Sequence, residues 1–411
     1  MATKESNSEK VSLFQKYCDV NLILRILCGL AAGILLAVFA PGIRVFSLPG
    51  SLFVGALKGI APVLVFALVC GSLASAKTKL DKRFGFVLFL YLASTFLAAA
   101  VAVLGSFVFP QHLQLAGAAQ SEAVPTDVGE VLLRLLANLV VNPISALAEA
   151  NYIGILFWSV LGGFACRRIL DDRAKEMLKA FSDVLSKIVR WIIELAPVGI
   201  FGLAYIAVAE NGLGVFKTYG CLLALLVGCM LTTALVVNPF LVWLSLHRNP
   251  YPLVFRCLQK SGVTAFFTRS SAANIPVNMA LCEEFGLDRD IYSVSIPLGA
   301  TINMNGAAVT ITVMALAAAY TAGITVSLPS ALILSILATL AACGASGVAG
   351  GSLLLIPMAC SLFGISPDTA MQVVGVGFII GVVQDSFETM INSSGDVLFA
   401  ATAEYRARKK G

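Results

Sequence analysis

Charged residues are scarce in this chain. Only 12% of its 411 residues are Asp, Glu, Lys or Arg, against about 25% in an average soluble domain, and the mean hydropathy is +0.90. This composition excludes a soluble globular protein and indicates an integral membrane protein. Several separate apolar stretches are long enough to cross a hydrocarbon core of about 30 Å, which predicts an all-α bundle of membrane helices instead of a β-barrel.

Histidine and paired cysteines are lacking as well. The chain has two His, and its ten Cys are scattered without a C-x-x-C pair. This excludes a zinc site, a haem attachment site and a disulfide framework, and it predicts no organic cofactor. Residues 1–20 also lack the apolar core and cleavage site of a secretory signal. Residues 21–39 are therefore predicted to be a retained first span.

Basic residues are rare outside a few connections between apolar segments. The apolar segments lie at 21–39, 47–74, 84–109, 131–165, 177–209, 216–246, 291–320, 329–363 and 370–403. Lys and Arg cluster in alternate connections, near 77–83, 167–179, 247–260 and 406–410. The positive-inside rule then predicts that both termini are cytoplasmic.

Three apolar regions are interrupted by polar or small residues. Residues 266–276 lie between two charged connections and are too polar for an ordinary span, which favours a re-entrant hairpin from the cytoplasmic side; a cytoplasmic loop is the alternative. Residues 342–352 favour a second hairpin from the outside, with a glycine-rich packing face as the alternative. Two opposed hairpins, each followed by a helix, are typical of an inverted repeat.

The third interruption, Thr301–Ala307, divides the helix predicted at 291–320. Non-helical backbone at membrane depth is tolerated where it is buried in protein or lines a cavity, and we interpret this break as part of a binding site. The alternative is a hydrogen-bonding pair of Asn303 and Asn305 between helices.

Acidic residues form one cluster in an otherwise apolar region. Only four charged side chains lie between Ile291 and Ala403, and three of them are Asp385, Glu388 and Asp396. On a helix, these three share an arc of about 100° with Thr389 and Asn392. A carboxylate at membrane depth costs about 2.5–3.5 kcal/mol. With no base nearby in the sequence, a bound cation or a substrate ammonium group is predicted.

Two other classes of protein place acids in membrane helices. An intramembrane aspartyl protease needs two aspartates on separate helices, and no second core helix carries an acid. We therefore predict that the chain is not an enzyme. A channel needs polar rings from repeated elements, so the single stripe favours an enclosed transport site, with a gated ion channel as the alternative.

Four motifs in order carry a resemblance to a known family. They are Thr268–Ser271 with Pro276, Asn303–Gly306, Ser346–Gly350, and Asp385 with Thr389, Asn392 and Asp396. Over nearly its whole length the chain resembles the dicarboxylate/amino acid:cation symporters, which have the glutamate-transporter fold. The resemblance implies eight transmembrane helices plus two re-entrant helical hairpins, a homotrimer, and a transport domain that slides like an elevator against a scaffold.

The resemblance also implies domain limits. Residues 1–20 and 404–411 would be cytoplasmic segments, and 21–250 would be mainly scaffold, with helices 84–109 and 216–246 contributing to the transport domain. Residues 251–403 would form the core of that domain in a multi-pass protein of the bacterial inner membrane.

Site residues follow from the same resemblance. Asp385 would hold the substrate ammonium group and Thr389 would line the pocket. The substrate α-carboxylate would be held by Asn392, Ser271, Gly347 and Val348. One sodium site would use Asp396 with carbonyls near Gly299, Asn303 and Asn392. A second would use Thr301, Met304 and the carbonyls of Ala342, Cys343 and Ala345, and a third would use Tyr91, Ser94, Thr95 and Asn303.

Three departures from the family pattern bear on function. Acidic amino acid transporters of the family carry Arg where this chain has Glu388 and Thr where it has Ala307, so both groups that would bind a second substrate carboxylate are absent. They also carry Asp at Asn305, so the third sodium site lacks that charge here, and we predict coupling to fewer ions than in the acidic amino acid transporters. Ser352 stands where glycine is usual, and the sequence assigns it no role.

These departures predict a sodium-driven importer of small neutral amino acids. Glu388 would repel an acidic side chain, and the run from Gln384 to Ser394 is most similar to the bacterial members that carry L-serine and L-threonine. The alternatives within the family are other small neutral amino acids, such as alanine or cysteine, or a dicarboxylate bound without the Arg. Sodium and membrane lipid are the other expected partners, and nucleic acid is not expected.

Overall fold

The computed structural model describes residues 22–75, 82–115, 137, 139–345 and 350–410, and their secondary structure is helical. The first half of the fold comprises α1 (Leu22–Phe39), α2 (Leu48–Ser75), α3 (Lys82–Val108), α4 (Pro143–Ala148), α5 (Tyr152–Ile169), α6 (Asp172–Glu194), α7 (Ala196–Asn211), α8 (Val215–Thr232) and α9 (Asn238–Leu246). The second half comprises α10 (Tyr251–Cys257), α11 (Val263–Thr268), α12 (Ile275–Glu284), α13 (Arg289–Ile302), α14 (Asn305–Thr321), α15 (Leu328–Ala342), α16 (Ile356–Ser361) and α17 (Pro367–Lys410).

Short helical turns of other types join some of these helices. π-Helical turns at Thr233–Val237 and Leu258–Gly262 connect α8 to α9 and α10 to α11, and 3₁₀ turns at Arg44–Ser47 and Ser352–Leu355 precede α2 and α16.

Several of the described helices are long and apolar enough to cross a membrane. Five segments meet this condition: Arg44–Gly71, Arg83–Val108, Val215–Leu246, Arg289–Thr321 and Pro367–Lys409. The bent pair α6 and α7 would make a sixth span. The prediction of an all-helical, multi-pass membrane protein is confirmed at this level.

Two predicted segments are divided in the structure. The segment predicted at 177–209 consists of α6 and α7, which meet at an angle of 55° around Leu195. Pro197 lies in the first turn of α7 and has no N–H to donate to the preceding helix, which explains the break. The predicted basic connection at 167–179 was also wrong in part, because α6 begins at Asp172, capped by the side chain of Asp171.

The segment predicted at 131–165 is divided as well. α4 ends at Ala148, and α5 begins at Tyr152, where the Asn151 side chain accepts a hydrogen bond from the Gly154 N–H. The beginning of that predicted segment, residues 131–136, lies outside the described part of the chain.

Small residues allow the first helix to approach α7 closely. A Cβ atom on Gly29 would lie 2.1 Å from the carbonyl oxygen of Pro197, and one on Gly33 would lie 2.3 Å from that of Phe201. The four-residue spacing puts both glycines on the same face of α1. This is how membrane helices pack when small residues replace bulky ones.

The second half of the chain forms the centre of the molecule around α14 and α17. Every residue from Asn305 to Ala319 on α14 is buried. The predicted interruption of this region is confirmed and is short: α13 ends at Ile302 and α14 begins at Asn305. This break faces the polar stripe of α17, so non-helical backbone and the acidic residues meet inside the protein.

The two predicted hairpins are likewise interrupted helices in the structure. In the first, which we call hairpin 1, α11 and α12 are separated by residues 269–274, where Arg269 adopts a left-handed conformation with φ of 49°. In the second, hairpin 2, α15 ends at Ala342 and the chain resumes helical structure at Ser352. The predicted tip residues Gly347 and Val348 lie outside the described part of the chain.

Candidate functional site

The polar stripe predicted on α17 is buried inside the protein. Asp385, Glu388, Thr389, Asn392 and Asp396 all have an exposed fraction of 5% or less. α17 is one continuous helix through this region, so the predicted arc of polar side chains is present. The elements that meet it are the broken helix α13–α14 and the two hairpins.

Asp396 lies beside the break between α13 and α14. The Asn303 side chain donates from Nδ2 to Asp396 Oδ1 at 2.9 Å and to the Asn392 carbonyl oxygen at 2.9 Å. A Cβ on Gly299 would lie 2.6 Å from Asp396 Oδ1, so only glycine permits this approach. The Tyr91 hydroxyl donates to the Asp396 carbonyl oxygen at 3.2 Å. The structure thus brings together the residues predicted for the first sodium site.

Two oxygens at this place have no donor among the described residues. They are Asn303 Oδ1 and Asp396 Oδ2, and both are buried. A buried acceptor without a partner is costly. Oxygen atoms are the ligands that hard cations prefer, and one carboxylate supplies the charge for a monovalent ion. The arrangement therefore fits a sodium ion carried as substrate.

Asp385 contacts both hairpins. Its Oδ1 accepts a hydrogen bond from the Gly350 N–H of hairpin 2 at 3.2 Å. Its Oδ2 lies 3.9 Å from Nη1 of Arg269 in hairpin 1 and accepts no hydrogen bond from the described residues. No base lies near the acids in the sequence, but the fold brings Arg269 to Asp385 from a distant part of the chain.

Glu388 is held by three donors on one carboxylate oxygen. Oε2 accepts from Thr310 Oγ1 at 2.7 Å, from Ser352 Oγ at 2.8 Å and from Gln384 Nε2 at 2.5 Å. These donors come from α14, hairpin 2 and α17. Glu388 therefore joins three elements at the position that the sequence assigned to substrate selectivity.

Asn392 connects α17 to the broken helix with both ends of its amide. Its Oδ1 accepts from the Gly306 N–H at 2.7 Å, and its Nδ2 donates to Met304 Sδ at 3.4 Å. A thioether is a weak acceptor, so a carboxylate would compete well for the Nδ2 donor. Thr389 donates from Oγ1 to the Asp385 carbonyl oxygen at 2.8 Å within α17.

The residues predicted for the second sodium site lie where α15 ends against α13. The Cys343 thiol is 3.7 Å from the Ile302 carbonyl oxygen, at the last residue of α13. The Thr301 hydroxyl donates to the Leu298 carbonyl oxygen at 2.8 Å within its own helix. Ala342 and Ala345 are buried beside this contact. The two halves of the predicted ligand set thus belong to neighbouring elements.

The residues predicted for the third sodium site satisfy one another by hydrogen bonds. Asn305 Nδ2 donates to Ser94 Oγ at 2.6 Å, Ser94 Oγ donates to Asn238 Oδ1 at 2.7 Å, and Thr95 Oγ1 donates to Asn305 Oδ1 at 3.1 Å. The Asn305 amide thus donates hydrogen bonds at a position where an Asp side chain would have two oxygens that could bind a cation. Tyr91 contributes its carbonyl to Thr95, while its hydroxyl lies at Asp396.

This combination of a broken helix, a buried carboxylate stripe and two interrupted hairpins agrees with the comparison to known families. The sequence model of the sodium:dicarboxylate symporter family matches residues 22–405. The chain belongs to the sodium:dicarboxylate symporter family. It is therefore a member of a transporter family and not an enzyme.

Individual relatives in the family are similar along almost their whole length. The serine/threonine transporter SstT of Bifidobacterium adolescentis is 60% identical over 391 residues, which cover 95% of this chain and 91% of the relative. The protein of the same name from Streptococcus thermophilus is 55% identical, with 95% and 97% covered. The one from Streptococcus agalactiae is 54% identical, with 93% and 96% covered.

A buried cluster that the sequence did not predict attaches hairpin 1 to α17 in this family member. Asn274 donates from Nδ2 to Ser393 Oγ at 2.8 Å, and Asn278 donates to Ser393 Oγ at 3.0 Å. Ser261 donates to Asn278 Oδ1 at 2.5 Å. Ser271, predicted to bind substrate, is buried just before these residues. The signal that could have revealed the cluster is the pair of Asn side chains one helical turn apart.

Ion pairs also bind the end of hairpin 1 at Glu284, the last residue of α12. Lys260 donates to both Glu284 oxygens, at 2.7 and 2.6 Å, and Arg256 donates to the same carboxylate. These hydrogen bonds, with that from Lys260 the largest cause, lower the pKa of Glu284 below its usual range. The pairs connect α12 to α10 and to the π-helical turn that follows it. Because the carboxylate is exposed, they contribute little to the stability of the fold.

The other functional residues missed by sequence reasoning are Arg269 as the partner of Asp385, Asn238 in the Asn305 cluster, and Thr310, Gln384 and Ser352 around Glu388. Most of these contacts join elements far apart in sequence, for which local patterns carry no signal. Gln384 is the exception, because it lies one helical turn before Glu388 on α17.

Proposed function

We propose that this protein is a sodium-driven importer of serine and threonine. The main observation behind the proposal is the pair of acids on α17. Asp385 has one carboxylate oxygen that accepts no hydrogen bond from the described residues. Glu388 lies one turn away, at the position where binding of an acidic substrate would need a positive charge. The first acid fits an ammonium group and the second disfavours a carboxylate side chain. The 54–60% identity to proteins named serine/threonine transporters supports the proposal.

The substrate backbone would bind between the two hairpins. Its ammonium group would bind Oδ2 of Asp385, which accepts no hydrogen bond from the described residues and lies 3.9 Å from Arg269. Its α-carboxylate would take the Nδ2 donor of Asn392, whose acceptor among the described residues is the Met304 thioether. Ser271 and the hairpin 2 tip at Gly347 and Val348 would bind the same carboxylate. Thr389 lies between these two anchors and would line the pocket.

Sodium would be carried with the amino acid. The buried oxygens of Asp396 and Asn303 support a first ion site, with Gly299 and Asn392 contributing backbone carbonyls. Asn392 belongs to both sites, since its side chain faces the proposed substrate and its carbonyl faces Asn303. An ion and a substrate that complete each other's site increase each other's affinity by the same factor.

A second ion would bind at Thr301, Met304 and the carbonyls of Ala342, Cys343 and Ala345. The hydrogen-bonded cluster around Asn305 supports coupling to fewer ions than the acidic amino acid transporters use, because its polar atoms already pair with one another.

Membership in the family supports the proposed architecture. Eight transmembrane helices and two re-entrant hairpins would span the bacterial inner membrane with both termini in the cytoplasm. Residues 21–250 would form mainly the trimeric scaffold, with α3, α8 and α9 contributing to the transport domain. Residues 251–403 would form the core of that domain, which would move as an elevator.

Uptake into proteoliposomes tests the proposal. The purified protein is reconstituted, and entry of radiolabelled serine is measured with an inward sodium gradient and with potassium in its place. Accumulation of serine above equilibrium in sodium alone is the expected result. Passive, gradient-independent flux would indicate a channel instead. Competition by each of the twenty amino acids then ranks the substrates, with serine and threonine expected to compete best.

A further inference from the structure

Within the described part of the chain, the carboxylate of Glu388 accepts hydrogen bonds through one of its two oxygens. All three donors, Thr310, Ser352 and Gln384, reach Oε2. No hydrogen bond from the described residues reaches Oε1. The residue is 5% exposed, so Oε1 is left available to a ligand by a carboxylate that the fold has almost completely enclosed.

The neighbouring amide shows the same surplus of acceptors. Gln384 donates from Nε2 to both Glu388 Oε2 and Thr310 Oγ1, at 2.5 and 2.7 Å. Its own Oε1 is buried and has no donor among the described residues. A buried cluster with more acceptors than donors is unfavourable until a donor group enters it. The site therefore favours a ligand that brings a hydrogen-bond donor, such as a hydroxyl group.

The position of Ser352 places this cluster next to the amino acid anchor. Hairpin 2 contacts Asp385 through the Gly350 N–H and Glu388 through the Ser352 hydroxyl, two residues later. Asp385 and Glu388 are three residues apart on α17, which puts them on the same face. Glu388 therefore lies beside the place where the side chain of an amino acid would lie when its ammonium group binds Asp385.

We propose that Glu388 recognises the hydroxyl group of the substrate through Oε1, and that Ser352, Thr310 and Gln384 are positioning residues that fix the carboxylate for this contact. The proposal rests on the proposed function and adds a reason for choosing hydroxy amino acids. A hydroxyl group can both donate and accept, so it pairs with Glu388 in either protonation state. It also gives a role to Ser352, whose hydroxyl joins hairpin 2 to the selectivity position.

The discriminating measurement compares substrates that differ only in the hydroxyl group. Sodium-driven uptake of serine and alanine is measured in proteoliposomes, and the ratio of their kcat/KM values is the readout. A hydrogen bond to a charged group contributes binding free energy equivalent to about tenfold or more in affinity. Glu388→Leu should therefore lower the ratio of serine to alanine kcat/KM by about this factor, while alanine uptake continues. Ser352→Ala and Thr310→Val should each lower it about threefold or more, with the sodium dependence of alanine uptake unchanged.

A matched control is available on α14. Thr312 is as buried as Thr310, but its hydroxyl has no hydrogen-bond partner among the described residues. Thr312→Val should leave the serine to alanine ratio within about twofold of wild type. Equal loss of serine and alanine uptake in Ser352→Ala and Thr310→Val would overturn the inference, and so would an unchanged ratio. Sodium-driven uptake by wild type without preference for serine over alanine would refute hydroxyl recognition alone, whereas absence of sodium-driven uptake would refute the proposed function.

Discussion

The guanidinium group of Arg269 lies 3.9 Å from the carboxylate of Asp385, and both side chains are buried. Arg269 occupies the break of hairpin 1 in a left-handed conformation, and Asp385 lies on α17. The pair places a positive charge of the protein beside the carboxylate proposed to bind a positive substrate group. At this distance the contact is an ion pair without a direct hydrogen bond, which leaves Asp385 able to bind a closer donor.

Asp385→Asn should abolish sodium-driven serine uptake, because the amide cannot supply the charge that balances the substrate ammonium group. The change also leaves Arg269 as a buried charge without its partner, which destabilises a protein by about 3–5 kcal/mol. Arg269→Ser combined with Asp385→Asn separates the two effects. The double variant should regain thermal stability in detergent but still fail to transport. Uptake at the wild-type rate in either variant would contradict the anchor role of Asp385.

Glu388→Arg combined with Ala307→Thr should shift substrate preference from serine toward aspartate. The guanidinium group would pair with the second substrate carboxylate, and the added hydroxyl would lie on α14 next to Gly306, whose Cβ position is 2.6 Å from the Glu388 Cα. Competition of labelled serine and aspartate uptake measures the shift. Ala307→Thr alone is the control and should keep serine as the preferred substrate. A double variant that still prefers serine and ignores aspartate would refute this account of selectivity.

The sequence predicted the helical breaks better than the helical boundaries. The interruption around Asn303 was predictable, because polar and small residues in an apolar run are a local signal. The bend at Leu195 was missed, although Pro197 marks it, because the apolar character continues across the bend. The amphipathic α6 was mistaken in part for a connection, since its charged residues on one face have the same composition as a loop.

The part of the site that lies on a single helix could be predicted from the sequence. The contacts between separate elements could not. Asp385, Asn392 and Asp396 share one helix, so helical periodicity placed them on one face. The pairing of Arg269 with Asp385 depends on how hairpin 1 folds against α17, and no spacing in the sequence encodes that distance. Ser352 was noted only as an unusual residue until its 2.8 Å hydrogen bond to Glu388 gave it a partner.

Asp396→Asn should weaken the dependence of serine binding on sodium. The substitution keeps an oxygen beside Asn303 but removes the charge that balances the ion. A typical coupling free energy of about 1–3 kcal/mol means that bound sodium increases serine affinity about 5- to 150-fold. The variant should lose part of this increase at a given sodium concentration, so half-maximal uptake should require more sodium. Serine affinity at very high sodium should recover. An unchanged sodium dependence would show that the ion binds elsewhere.

Asn305→Asp should create the acidic group that the third sodium site lacks. In the present cluster the Asn305 amide donates to Ser94, and Asn238 accepts from the same hydroxyl, so no charge is available to balance an ion among these described residues. A carboxylate at position 305 would keep the acceptor that Thr95 uses and would add a buried negative charge, which is costly unless it is neutralised.

Binding of one additional sodium ion is the expected way to neutralise that charge. The number of sodium ions per serine, measured from the membrane potential at which coupled flux reverses, should therefore increase by about one in the variant, because one ion compensates one buried carboxylate. Asn238→Asp is the matched control, since it places a carboxylate in the same cluster on α9 instead of α14. If the variant takes up serine normally with an unchanged number of sodium ions per serine, the lack of an acid at position 305 does not explain the lower predicted number of coupled ions.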